Sequence, residues 1–211
     1  MIVLAFDTCL EACSAAVVAE GRLLARRYEP MARGHQERLA PMIEALMLEA
    51  GLGFAAIGRI AVTQGPGSFT GLRVGLAFAR GLSFALSRPA VGVSALEALA
   101  ASETGGGLCV AAIDARRDQL YLQAFFEGAP ASPPEALSVD DAVARVSAIG
   151  RPLRLIGSGA ALLQPAFPDA EVIARVGADP VALARLGAAA AEPEGPPEPL
   201  YLRAPDARLP V

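Results

Sequence analysis

The feature that most narrows what this chain can fold into is a pattern that occurs twice. Val3-x-Ala5-x-Asp7 returns as Val110-x-Ala112-x-Asp114, and Glu20-Gly21 sits at the same offset in the first copy as Glu127-Gly128 in the second. Alanine and valine matches are cheap in a chain rich in both. The aligned aspartates and Glu-Gly pairs count for more, because they punctuate the backbone at strand ends and tight turns. Each copy reads as a strand ending in Asp, a hairpin, a second strand and a Glu-Gly turn. Two related lobes follow from that repeat, and 211 residues suffice for them to bury a real core.

The first copy can be followed further. Residues 2–6 and 12–19 read as strands around a turn, and Glu20-Gly21 leads tightly into a third strand over 22–28. A polar loop then precedes a helix over about 36–50, in which Leu39, Met42, Ile43, Leu46 and Met47 recur at helical spacing before Gly51 stops it. A buried strand at 60–63 is followed by a glycine-rich loop and a helix over about 71–86, closed by Pro89. Residues 90–93 are strand-like, and Ser94-Ala-Leu-Glu97 reads as a capping box opening another helix. The order β-β-β-α-β-α-β-α is that of an RNase H-like lobe, and actin, sugar kinases and heat-shock chaperones use two such lobes. The expected class is α/β, an actin-like ATPase (RNase H-like) fold with lobes at 1–104 and 105–211. The second lobe is smaller and degenerate, with a helix near 139–147, a strand at 153–156, a helix around 181–191 and an extended Pro-rich tail from Glu192.

Composition excludes several classes. With 54% hydrophobic residues and a net charge of -4 the chain is not disordered. Charges or breakers interrupt every apolar run short of the roughly 20 residues that span a bilayer, so no membrane association is expected. The apolar N-terminus lacks a basic lead-in and meets Asp7 at once, which fits a buried strand rather than a signal peptide. Cys9, Cys13 and Cys109 are odd in number and show no Cys-x-x-Cys spacing; they read as buried thiols in a reducing, cytoplasmic compartment. All 18 basic residues are Arg, so neither a P-loop lysine nor a Schiff-base lysine exists. A sequence pI near 5.1 argues against autonomous RNA binding.

Three stretches are candidate sites. Asp7-Thr8 sits where actin-like ATPases put a strand-end Asp and hydroxyl near Mg²⁺ and phosphate; with no supporting phosphate loop, a turn in which Asp7 bonds its own backbone is the preferred reading, and the pair is vestigial. Gly65-Pro-Gly-Ser-Phe-Thr-Gly-Leu-Arg73 is the most specific stretch. Gly65, Gly67, Ser68, Thr70, Gly71 and Arg73 form a candidate anion-binding loop at a helix N-terminus, though not a Walker A loop; the structural alternative is a tight strand-to-helix turn. Ile156-Gly-Ser-Gly159 is a weak match to an adenosine-binding glycine turn. His35 is the sole histidine, and the position four residues on is Leu39, so no helical zinc pair and no Ser-His-Asp set is formed. No metal and no catalytic residue is expected.

These residues together resemble the TsaB family, also called YeaZ. The resemblance lies in the strand pair around Asp7-Thr8, Gly34-His35-Gln36-Glu37 before an apolar helix, residues 65–73, Gly92-Val93-Ser94, Asp114-Ala-Arg116 and Tyr201-Leu-Arg203. It is dense over residues 1–118 and patchy thereafter until the tail; Cys9 departs from the Ser that commonly follows Asp-Thr. The resemblance implies a non-catalytic scaffold that partners TsaD and TsaE in making N6-threonylcarbamoyladenosine in bacterial tRNAs reading ANN codons. It implies that TsaD holds the metal and the transfer chemistry and that tRNA is met only through the complex; no cofactor is expected on the isolated chain, and the sequence leaves open whether ATP or ADP binds within the complex. An ATP-dependent phosphotransferase is the alternative of the same fold, and a metallopeptidase is disfavoured by the single His.

The resemblance also implies docking through paired helices. Gly71, Gly75 and Ala79 fall at i, i+4 and i+8, a stripe almost without side chains; Ala77, Gly81 and Ala85 form a second. With Leu39, Met42, Ile43 and Leu46 of the preceding helix, the first stripe is the expected surface for TsaD, and for a homodimer when TsaD is absent. On that reading Gly75→Leu leaves a folded chain and weakens both associations.

Overall fold

A computed structural model describes residues 1–203. The two Glu-Gly turns have nearly the same backbone, with φ of 50° and 80° at Glu20 and Gly21 and 51° and 79° at Glu127 and Gly128. Positive φ at both central residues matches a two-residue hairpin loop to the twist of its strands. The repeat seen in the sequence is thus a repeat of conformation.

The first half forms β1 (Ile2–Asp7), β2 (Ala12–Ala19), β3 (Arg22–Pro30), α1 (His35–Glu49), β4 (Arg59–Thr63), α2 (Phe69–Leu86), β5 (Ala90–Val93) and α3 (Ala95–Ala100). Its sheet has the order β3-β2-β1-β4-β5. The first three strands pair antiparallel, and β4 and β5 add parallel to β1. The second half forms β6 (Leu108–Arg116), β7 (Gln119–Phe126), β8 (Ala129–Pro130), β9 (Glu135–Ser138), α4 (Val139–Ile149), β10 (Arg154–Ile156), α5 (Ala160–Leu163), β11 (Glu171–Ile173) and α6 (Pro180–Ala189). Its sheet, β11-β10-β6-β7-β8 with β9 also on β7, repeats the first: an antiparallel hairpin with two strands added parallel to its first strand. Both sheets are RNase H-like. The elements absent from the sequence reading, β8, β9, β11 and α5, are two to four residues long, too short for periodicity to register.

Strand alternation decides which helix covers which face. Phe6 and Val62 point toward α2, where Phe6 meets Phe78 edge-on at 5.5 Å and Gly75 lies against Val62. Ala61, one residue away, points to the opposite face and is met by Gly187 of α6. The last helix of the chain therefore completes the first lobe. α3, from the first half, packs on β6 and β7 of the second sheet and against α6. One buried cluster runs from Leu4, Phe6 and Ile60 through Leu96, Leu99 and Leu183 to Cys109, Ile113 and Phe125; a smaller one lies beneath α4 and α5. A cut at residue 104 separates the sheets but divides this main core.

Two local expectations change. Ser94 is the N-cap of α3 by position, but its side chain makes no cap bond, and its Oγ is buried without a partner among the described residues. The capping box is not formed. The stripe Gly71, Gly75, Ala79 is buried, so it packs on the chain's own sheet rather than forming a surface.

Because α6 seals the first sheet, a fragment ending at residue 104 leaves β1 and β4 bare on one face. It is expected to show no cooperative thermal transition by circular dichroism. In the full chain, a Cβ at Gly187 would overlap the Ala61 Cβ, so Gly187→Val is expected to cost about 1–3 kcal/mol in denaturant unfolding. Cooperative unfolding of the fragment would show that the first lobe stands without α6.

Candidate functional site

The strand-end turn of β1 and the loop that opens α2 are built against each other. Cys9 N donates to Asp7 Oδ1 at 2.8 Å, an Asx-type turn, and Thr63 Oγ1 donates to the same oxygen. Thr8 Oγ1 donates to Gly71 O at 2.7 Å, and Ser68 N donates to Cys9 O at 2.7 Å. A side chain at Gly67 would overlap the Cys9 carbonyl, and one at Gly71 the Thr8 carbonyl. Two backbone stretches approach here more closely than any Cβ allows, which is why glycine is required at both positions. Ser68 caps α2, its Oγ accepting from Gly71 N at 3.3 Å.

That packing settles where the candidate residues lie. Asp7 and Thr8 are buried, at 0% and 1% exposure. Asp7 Oδ2 has no hydrogen-bond partner among the described residues, and burial pushes the Asp7 carboxyl above its ordinary pKa against the bonds from Thr63 and Cys9. Of the candidate anion loop, Gly65 and Gly71 are buried, Thr70 is exposed, and Gly67, Ser68 and Arg73 line a cleft. The amides of Ser68 and Gly71 already serve the turn and the cap. Leu39, Met42, Ile43 and Leu46, expected at a partner surface, are 0–1% exposed and belong to the core beneath α1. The apolar spacing that drew attention to them is the spacing of a helix's inward face.

The cleft, of about 780 Å³, lies between the lobes. The first lobe supplies Cys9, Leu10, Glu11, His35, Gly67, Ser68, Phe69 and Arg73, the second Ile113, Asp114, Arg116, Tyr121 and Ser158, and the tail Tyr201 and Arg203. Four stretches far apart in sequence (34–37, 65–73, 114–116 and 201–203) converge on it. His35 Nε2 sits 3.2 Å from the Leu10 carbonyl. Burial, then the nearby Asp7, holds the Cys9 thiol well above its ordinary pKa, so no thiolate is available there. Arg116 reaches across to Glu11 at 2.7 Å and back to Asp114 at 3.3 Å, and Arg116, Arg117 and Asp118 take successive positive φ of 63°, 56° and 57°. The tail bridges the lobes: Leu200 N donates to Gln64 O at 2.7 Å, and Arg203 Nη1 donates to Ala115 O and Gln119 Oε1 at 3.2 Å.

Glu11 and Tyr121 carry no mark in the sequence as site residues because their only signal is three-dimensional proximity. The glycine turn around Ser158 is packed on β6. Gly159 N donates to Ala112 O at 3.0 Å, Ser158 Oγ accepts from Asp114 N at 3.1 Å, and a side chain at Gly157 would overlap Ala112 O. Among the described residues no group of three His, Cys, Asp or Glu side chains gathers as a metal site, and no helix is long and apolar enough to cross a membrane.

Two RNase H-like sheets facing each other across such a cleft define a two-lobed protein of the actin-like ATPase fold. The activator of 2-hydroxyisocaproyl-CoA dehydratase from Clostridium difficile superposes with a TM-score of 0.53 over 89% of this chain and 93% of that one; at 10% identity this is likeness of fold alone. YeaZ from Pseudomonas aeruginosa superposes with a TM-score of 0.78 at 32% identity, covering 95% of this chain and 99% of that one. The tRNA threonylcarbamoyladenosine biosynthesis protein TsaB of Escherichia coli is 38% identical over 124 residues, 57% of this chain and 53% of that protein. The matched stretch thus spans about half the length of that curated relative. The family model for TsaD, tRNA N6-adenosine threonylcarbamoyltransferase, matches residues 29–175. The chain belongs to that family and, within it, to the TsaB (YeaZ) group.

A carboxyl with a raised folded pKa binds its proton more tightly in the folded chain than in the unfolded one. Its contribution is full below the unfolded value near 3.8 and is lost as pH rises through the folded value. Asp7→Asn is therefore expected to raise the melting temperature at pH 7, with the gain shrinking toward zero below about pH 4. A variant less stable than wild type at pH 7 would show that the charged carboxylate is needed where it lies.

Proposed function

We propose that the chain acts in the biosynthesis of N6-threonylcarbamoyladenosine in tRNA as a non-catalytic subunit that binds and activates a TsaD partner. The name of the Escherichia coli relative supports the pathway. The observation that carries the non-catalytic part is the filled strand-end turn. A phosphotransferase of this fold needs Asp7 open to metal and phosphate, whereas Asp7 is buried and the glycine loop lies directly over Thr8 and Cys9. The same proposal takes TsaE as a further partner and a homodimer as the state without TsaD. It has tRNAs reading ANN codons met through the complex, ATP or ADP bound only within it, and the assembly in the cytoplasm.

The docking surface we assign to the outer side of α1 and α2. Phe84 is 90% exposed and Leu48 82%, and Ala77, Gly81 and Ala85 face outward with them. Both helices begin at the cleft and run away from it, so both apolar ends fall at the far side of the pair. This is the second small-residue stripe, displaced around the helix from Gly71, Gly75 and Ala79.

A matched pair of variants separates the stripes. A Cβ at Gly81 meets nothing within 4 Å, whereas one at Gly75 would lie 2.7 Å from Thr8 Oγ1 and 3.3 Å from Val62 Cγ2. Gly81→Leu is expected to keep the wild-type melting temperature and lose TsaD association in size-exclusion chromatography. Gly75→Leu is expected to unfold more easily, by about 1–3 kcal/mol. Depletion of the protein should remove threonylcarbamoyladenosine from tRNA hydrolysates; unchanged nucleoside would overturn the function, and normal TsaD binding by Gly81→Leu would overturn the surface.

A further inference from the structure

Among the described residues, one arginine lining the cleft stands apart from the carboxylates beside it. Glu11 and Asp114 both bind Arg116. Arg203 is held by the Ala115 carbonyl and Gln119. Arg73 differs from both. Its guanidinium lies 3.7 Å above the Phe69 ring, and its Nε donates to Tyr201 Oη at 3.3 Å. Phe69 and Tyr201 are themselves in ring contact, with centroids 5.8 Å apart. The Nη groups of Arg73 make no hydrogen bond or ion pair among the described residues.

A guanidinium stacked on one ring and bonded at Nε to the hydroxyl of another keeps four N–H donors on its two Nη groups. It presents a planar fork suited to two oxygens of one group, and little side-chain entropy is left to lose on binding. The chain as a whole carries a net charge of -4, so a cation on the cleft wall with no carboxylate partner among the described residues is a local feature rather than a reflection of a basic surface. The volume, about 780 Å³, falls within the range of small-molecule sites. The Phe69 and Tyr201 rings and the Ser68 side chain line the same cleft.

We propose that the inter-lobe cleft is a binding site for a small oxyanion-bearing ligand, a carboxylate or a phosphate, anchored on the Nη groups of Arg73. Phe69 and Tyr201 hold the guanidinium in place, and Tyr201 makes the site depend on the docked tail, since Leu200 is tied to Gln64 beside it. Two of the loop amides, those of Ser68 and Gly71, are used within the protein, so the anchor is the Arg73 side chain rather than those amides. This inference is independent of the proposed role in tRNA modification, and either can fail without the other.

The test is a calorimetric titration of the purified full chain with inorganic phosphate and, separately, with acetate, at constant ionic strength set by sodium chloride. Wild type is expected to bind at least one of the two. Arg73→Gln is expected to weaken that binding at least about tenfold, Arg73→Lys to retain part of it, and Arg22→Gln, at the exposed β2–β3 turn, to leave it unchanged. Tyr201→Phe, which keeps the ring but loses the acceptor for Nε, is expected to fall between wild type and Arg73→Gln. Binding of phosphate alone or acetate alone names the ligand class, and binding of both places the recognition in the shared oxyanion. Absence of binding by wild type to either anion would overturn the proposal, as would equal binding by wild type and Arg73→Gln. Melting temperatures of the free variants show that each is folded, and a loss of stability without a loss of affinity would make Arg73 a brace for the tail and likewise overturn the site.

Discussion

The structure depends on the contact between the turn at the end of β1 and the glycine loop that opens α2. Hydrogen bonds from Thr8 Oγ1 to Gly71 O and from Ser68 N to Cys9 O, each 2.7 Å long, join them, with a longer one from Cys9 Sγ to Pro66 O at 4.0 Å. Gly67 and Gly71 make the approach possible by lacking side chains. From this contact the start of α2 is set, Ser68 becomes its cap, and Phe69 and Arg73 are carried onto the wall of the cleft. The tail then docks on the same loop, because a Cβ at Gly65 would stand 2.8 Å from the Leu200 carbonyl. Three parts of the chain are held by one small patch of backbone.

The same contact bears on chemistry. In a nucleotide-handling protein of this fold the strand-end turn must stay open for phosphate and metal. Here it is occupied by the protein's own backbone, and the Asp7 carboxyl has become a buried group at a desolvation cost. The second lobe does the corresponding thing with Gly157 and Gly159, both packed on β6. What the cleft retains is the stacked Arg73 guanidinium, aromatic surface and hydroxyls.

The lobes are equally interdependent. Both sheets follow one plan, the second with six strands to the first's five among the described residues, yet α3 leaves the first half to cover the second sheet, and α6 leaves the second half to cover the first. That exchange makes the main core continuous across both sheets. The Glu11–Arg116 ion pair and the docked tail close the cleft from the front.

The strands of the first lobe, its two long helices and the paired Glu-Gly turns were legible in the residues. Each is announced by local physics: alternation or helical spacing of apolar side chains, a stop at glycine or proline, positive φ where Glu-Gly demands it. The specificity of residues 65–73 was legible too, but not its cause. Local pattern identifies a glycine that needs a reason without saying whether that reason is an anion, a second protein or the chain's own backbone. For Gly71 and Gly75 the answer was β1 and its turn; for Leu39, Met42, Ile43 and Leu46 it was the core. Ser94 shows the same limit, since a capping sequence does not ensure a capping bond once burial decides the rotamer. The sequence by itself determined the two-lobed α/β fold and the family. Tertiary structure alone decided which helix stripes face inward, that Asp7 is sealed, and that Arg73 stacks on Phe69 at the wall of a cleft with no carboxylate partner among the described residues, because burial and charge pairing depend on residues brought together from opposite ends of the chain.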